Sequence, residues 1–232
     1  MIFRRVLFIC RYVGTVGANL ANRMIPAKSK PLIIYICYLC LPLISKIMMK
    51  TEFEKMRSQE LYDFSDPQVD ASIRHAKMLC ARLQTMTPYD EDYREVIEEL
   101  IPGIPDSANV TPPFYCDHGN GIHLAEGVFL NFGCTILDGA HVTIGRHTLL
   151  GPNCQLYTPQ HPMDHILRRE TKETAYPITI GEDCWLGGNV TVCPGVTIGN
   201  RVIVAAGSVV TRDVPDDVLV AGVPAVVKRH LK

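Results

Sequence analysis

The chain has 232 residues, 47% of them apolar, with 23 Lys and Arg against 24 Asp and Glu. That is ample material for a core and excludes a disordered or low-complexity protein. The near-neutral balance is uneven: residues 1–48 hold seven basic and no acidic side chains, which leaves residues 49–232 about eight charges negative and argues against nucleic acid as a partner of the main body.

Residues 1–48 are expected to be an extension outside the core. Their apolar run, Leu32 to Ile44, is thirteen residues long and contains Pro42, whereas a membrane-spanning helix needs about 20 apolar residues. It looks more like a signal-peptide stretch, but no small-x-small cleavage site follows and it lies far from Met1. The expectation is a dispensable extension or weak membrane anchor ahead of a start at Met48 or Met49. Cys37 and Cys40 form a CxxC that has no second pair, so it is not read as a zinc site.

Residues 49–110 read as a helical cap. Ile73, Ala76, Leu79 and Leu83 recur at helical spacing, and "YDEDYREVIEELI" follows with Val96, Ile97 and Leu100 behind an acidic start. Pro102, Pro105, Pro112 and Pro113 end the helical region.

A different period rules residues 111–232. Aliphatic residues return every sixth place at Leu124, Leu130 and Ile136, at Ile144, Leu150 and Leu156, and at Ile180, Leu186, Val192, Ile198, Val204 and Val210. Six is the period of neither a helix nor an alternating strand. It predicts a mainly β fold, a parallel β-helix of short flat strands and tight corners, with eighteen residues to a three-sided coil. The helices before it would cover the exposed edges of the first coil. Nine cysteines are an odd number, and Cys134, Cys154 and Cys184 fall where a coil needs a small inward residue. They read as core hydrophobes in a reducing, cytoplasmic setting.

The ladder breaks twice. Two extra residues stand between Ile136 and Ile144, and residues 157–179, "YTPQHPMDHILRRETKETAYPIT", leave the coil as one loop. Long excursions of this kind are usually functional. This one carries His161, flanked by prolines, and His165, which reads as a surface residue.

The segments "KMRSQELYDFSD", "PPFYCDHGNGIHL", "LNFGCTILD", "TPQHPMD", "ITIGEDCWLGGNVTVCPGVTIG" and "AAGSVVTRDVPDDVLVAGVPA" together resemble the maltose and galactoside O-acetyltransferases of the hexapeptide-repeat superfamily, with the nodulation acetyltransferases as relatives. The resemblance spans about Thr51 to Lys228. It implies a homotrimer of left-handed β-helices, acetyl-CoA as co-substrate in a cleft between subunits, a sugar hydroxyl as acceptor and no required metal. A hydroxyl attacks a thioester well only if a base removes its proton, and a neutral imidazole of pKa about 6.5 suits that task. His161 matches the family's catalytic histidine.

For the acceptor, the resemblance implies Asp63, Asp117, Asn131 and Trp185. Asn131 reads equally well as a corner residue, and the alternative for Asp63 is a helix cap. A further acceptor aspartate of the galactoside type falls on Gly139, which favours a maltose- or glucose-type acceptor. For the cofactor, it implies a Gly188 N–H facing the thioester oxygen, Ala205, Ala206 and Gly207 along the pantetheine, Thr211 and Arg212 at the nucleotide end, and Arg229 near the phosphates. Val226 stands where the family commonly has Arg, so Lys228 or Arg212 would have to compensate. Antibiotic and cell-surface saccharide acceptors remain alternatives. A zinc enzyme of the carbonic anhydrase type would draw on His141, His147, His161 and His165, but it leaves the cap, the excursion and Trp185 unexplained.

Overall fold

The computed structural model describes residues 49–231; the expectations for residues 1–48 and for Cys37 and Cys40 lie outside the described residues. Three helices lead. In α1, Glu52–Arg57, Thr51 and Glu54 form a reciprocal capping box, with Thr51 Oγ1 accepting from Glu54 N at 3.1 Å and Glu54 Oε2 from Thr51 N at 2.8 Å. Strand β1, Tyr62–Asp63, follows. Helix α2, Pro67–Leu83, begins with Asp66 accepting from Gln68 N and Val69 N and with Pro at its first position. Helix α3 is Tyr93–Leu100.

The rest is a solenoid with three parallel faces visited in turn. The first face stacks β4 (Ile122–Leu124), β7 (Val142–Ile144), β12 (Ile178–Ile180) and β15 (Thr197–Ile198). The second stacks β2 (Asn109–Val110), β5 (Phe129–Leu130), β8 (Leu149–Leu150), β13 (Trp185–Leu186), β16 (Ile203–Val204) and β18 (Val218–Ala221), closed by antiparallel β19 (Val226–His230). The third stacks β3 (Tyr115–Cys116), β6 (Thr135–Leu137), β9 (Gln155–Tyr157), β14 (Thr191–Val192) and β17 (Val209–Val210).

The register shows why the period is six. Trp185 pairs with Ile203 and Thr191 with Val209, steps of 18 residues. All twelve hexad aliphatics are buried, and Cys134, Cys154 and Cys184 lie inside with them as free thiols. At the corners one residue takes a positive φ: Asn153, Asp183, Asn189, Arg201 and Gly207 among them. Short polar side chains and glycine tolerate that conformation best, which accounts for many of the polar residues between the apolar rungs.

The cap closes one end of this prism. Leu79, Leu83, Val96, Ile97 and Leu100 join the same buried cluster as Val110, Phe114 and the inward residues of the coils. The expected helical positions are therefore the ones that pack, because an open coil end would leave apolar rungs in water. Among the described residues no helix is long and apolar enough to cross a membrane.

Candidate active site

Every departure from the hexad spacing stacks on one edge of the prism, between the third and first faces. Phe129 pairs with Leu149 and Tyr115 with Thr135, steps of 20 residues, so the first two coils each carry two extra residues. In both, the surplus lies in the turn onto the first face, at residues 117–121 and 137–141. The sequence disclosed only the second of these. Above them, Leu149 pairs with Trp185, a step of 36, and the excursion departs at the same edge.

Asp138 organises the widened corner. It is fully buried, and its Oδ1 accepts from His118 N at 2.8 Å and Asp117 N at 3.2 Å, while Oδ2 accepts from Gly121 N at 2.9 Å. Arg57 of α1 reaches in, with its guanidinium 4.0 Å from Asp138 Oδ2. A Cβ on Gly121 would stand 2.2 Å from Arg57 Nη1 and 2.9 Å from the Asp138 main-chain oxygen, so a side chain there would displace the guanidinium and press on the corner's backbone. Asp117 is pushed up to about 6, first by burial and then by Asp138 and Glu173. His118 is pushed down to about 4 by burial, and its Nδ1 lies 2.9 Å from Ser72 Oγ.

The excursion is ordered rather than an irregular loop. Strand β10, Pro159–Gln160, pairs antiparallel with β11, Lys172–Ala175, and β11 pairs with β1 of the cap, Tyr62 opposite Glu173 and Asp63 opposite Lys172. His161 follows β10 directly. Its Nδ1 is 3.8 Å from Glu173 Oε2, and its ring meets the Phe64 ring edge-on at 6.0 Å between centroids. Tyr62, with 1% of its surface exposed, donates to the other Glu173 oxygen. Asp63 Oδ1 accepts from Ser65 N, Ser65 Oγ and Thr171 Oγ1, and Oδ2 from Lys172 Nζ at 3.0 Å. The two hydroxyls, foremost that of Ser65, hold its carboxyl far below the usual range.

A second concavity lies on the second face and the edge that follows it. This groove, about 530 Å³, is lined by Asn131, Trp185, Gly188, Ala206 and their neighbours on adjacent coils. Trp185 points outward with 54% of its surface exposed, between Leu149 and Ile203. Coil stacking demands small residues here, since a Cβ on Gly151 would lie 2.6 Å from Gly188 N and one on Gly187 2.6 Å from Ala206 N. Asn131 Oδ1 accepts from Phe132 N at 2.8 Å, which leaves its NH2 to donate outward.

Comparison with known proteins settles the kinship. Residues 177–212 match the description "Bacterial transferase hexapeptide (six repeats)" and residues 55–104 the "Maltose acetyltransferase hexapeptide capping motif". The chain is 37% identical to galactoside O-acetyltransferase of Escherichia coli K12 over 180 residues, 77% of this chain and 88% of that protein. The chain belongs to the hexapeptide-repeat acetyltransferases. A hexapeptide-repeat acetyltransferase of Vibrio cholerae, solved with acetyl coenzyme A, superposes with a TM-score of 0.74 at 39% identity, covering 79% of this chain and all of that one. A maltose O-acetyltransferase of Clostridium difficile superposes at 0.76 with 35% identity, covering 79% of this chain and 98% of that one.

In this acetyltransferase the expected site residues fall into two groups on different edges of one chain. His161, Asp63 and Asp117 stand at the excursion edge; Asn131, Trp185, Gly188 and Ala206 share the groove, whose lining does not include His161. Thr211 and Arg212 are exposed beyond β17, outside that lining, and Arg229 is exposed on β19 opposite Leu219, which is part of it. Exposed His165 has the surface position expected of it. His141 pairs with His123, Nδ1 to Nε2 at 2.9 Å, and His147 sits at a positive-φ corner of another edge. Sequence reasoning missed Tyr62, Glu173, Arg57 and Asp138. The "ILD" of a quoted motif was the available signal for Asp138; for Glu173 there was none, because the Tyr62 that holds it lies 111 residues away in the chain and its approach to His161 depends on how β10 and β11 pair.

Proposed function

We propose that the chain transfers the acetyl group of acetyl-CoA to a hydroxyl of a sugar, of the maltose or glucose type, with His161 as general base. The observation that carries this reading is that one chain presents, on two edges, a histidine backed by a carboxylate and an apolar, glycine-floored groove of cofactor size. His161 Nε2 takes the hydroxyl proton as the sugar oxygen bonds to the thioester carbon. The carbonyl electrons move onto oxygen, where the Gly188 N–H and the Asn131 NH2 are the donors to the developing charge. The C–S bond then breaks, and the CoA sulfur leaves with the proton returned by the imidazolium.

Ala205, Ala206 and Gly207 give the pantetheine a wall with no side chain larger than a methyl; beyond Gly207 a Cβ would meet open space. Thr211, Arg212 and Arg229 serve the nucleotide end. Asp117 and the one lone-pair site remaining on Asp63 Oδ2 receive sugar hydroxyls, and Trp185 stacks on sugar or pantetheine. The excursion edge and the groove lie on different edges, so the reading includes a threefold homotrimer in which one copy's His161 meets a neighbour's groove. The maltose-type cap match and Gly139 support the acceptor class.

The test is thiol release from acetyl-CoA with glucose, maltose and a galactoside as acceptors. His161→Ala is expected to lower turnover by roughly 10²- to 10⁴-fold with unchanged thermal unfolding; turnover near the parent value would overturn the assignment.

A further inference from the structure

Tyr62, Glu173 and His161 form a row across the small antiparallel sheet that joins the cap to the excursion. Tyr62 and Glu173 are directly opposed on β1 and β11, and His161 leaves β10 on the other side of β11. The Tyr62 hydroxyl, on a side chain buried between Met56 and Val69 of the cap and Ala140 of the widened corner, donates to Glu173 Oε1. Glu173 Oε2 then faces His161 Nδ1 at 3.8 Å, and Phe64, two residues after Tyr62, supplies the edge-on ring beside the imidazole. The charged groups flanking the row are Asp117 and Arg57 beside Tyr62, and the Asp63–Lys172 pair one residue along each strand.

We propose that Glu173, held in place by Tyr62, is the positioning residue for His161, so that the cap takes part in the reaction as well as closing the solenoid. The proposal rests on His161 being the base. An imidazole has two nitrogens, and a base needs the proton on the one away from the acceptor. A carboxylate beside Nδ1 keeps the proton there and leaves Nε2 as the lone-pair nitrogen; it also steadies the imidazolium that forms during transfer. A carboxylate on a flexible excursion would do this poorly. Tyr62 is almost fully buried and cannot swing, so its hydroxyl fixes one carboxylate oxygen and thereby aims the other.

Three variants test this: Glu173→Gln, Tyr62→Phe and the double variant. Kinetics are followed by thiol release at saturating acetyl-CoA and acceptor across pH 5 to 9. Glu173→Gln is expected to lower kcat roughly tenfold or more while KM for acetyl-CoA is unchanged. Tyr62→Phe alone should lower kcat less, and in the Glu173→Gln background it should cost nothing further, since the hydroxyl acts only through the carboxylate. A Glu173→Gln enzyme with parental kcat overturns the proposal, as does a raised KM for acetyl-CoA that accounts for the loss, and as do Tyr62 and Glu173 effects that simply add. Should His161→Ala retain activity, it is the base assignment itself that fails; an inactive His161→Ala beside a normal Glu173→Gln sinks the positioning role alone.

Discussion

Arg57 and Asp138, 81 residues apart in the chain, meet where the first helix of the cap presses on the widened corner of the solenoid. The guanidinium donates to the main-chain oxygens of Asp138 and Gly139, the latter at 3.0 Å, and lies 4.0 Å from the Asp138 carboxylate, which itself accepts from three backbone N–H groups. One buried anion thus satisfies the corner's donors and anchors the cap.

Removing that anion should be costly. Asp138→Ala leaves three N–H groups and part of a guanidinium without partners, and stability is expected to fall by about 3 kcal/mol or more. Asp138→Asn, which keeps one acceptor oxygen, should cost less. Urea unfolding of the three proteins checks the order, and equal midpoints for Asp138→Ala and the parent would refute it.

Adjacent residues at this corner respond to pH in opposite senses. Asp117 is raised to about 6 in the fold, so its contribution to stability is present at low pH and is lost as pH rises from about 4 through 6. His118 is depressed to about 4, so its contribution is present above the unfolded value near 6.5 and is lost as pH falls through 4. Asp117→Asn should therefore melt higher than the parent at pH 7.5, with the gap closing near pH 4. His118→Asn should flatten the stability loss between pH 6.5 and 4. Melting curves at these pH values decide; an Asp117→Asn protein that gains nothing at pH 7.5 counts against the buried-carboxylate argument.

The placement of His161 and the groove on different edges makes a prediction about mixed assemblies. Ala206 is exposed, so Ala206→Trp should fill the groove without disturbing the core. Co-expressed in equal amounts, inactive His161→Ala and Ala206→Trp chains should regain about a quarter of parental activity, because a neighbouring pair then combines an intact histidine with an intact groove. Activity no higher than that of the separate variants would show that each site is built within one chain.

The repeat was legible because each hexad meets the same local demand. The residues from Leu124 to Val210 at sixfold spacing all point inward, and the corners between them accept residues that tolerate a positive φ. The helical spacing of Ala76, Leu79, Leu83, Val96, Ile97 and Leu100 likewise marked the buried side of the cap. The motifs singled out His161 and Trp185, which stand beside Glu173 and in the groove respectively. The first widened corner was not, since the rungs below Leu124 are too few to show an interruption.

Short-range periodicity, then, set the solenoid, its inward rungs and its cap, because coil sterics and helix amphipathicity act over a few residues. Only the tertiary structure decided that Tyr62 lies opposite Glu173, that Arg57 reaches Asp138, and that the extra corner residues and the excursion share one edge. Those contacts join segments about a hundred residues apart, and no local pattern records which side chains the coils will bring together once their apolar rungs have stacked.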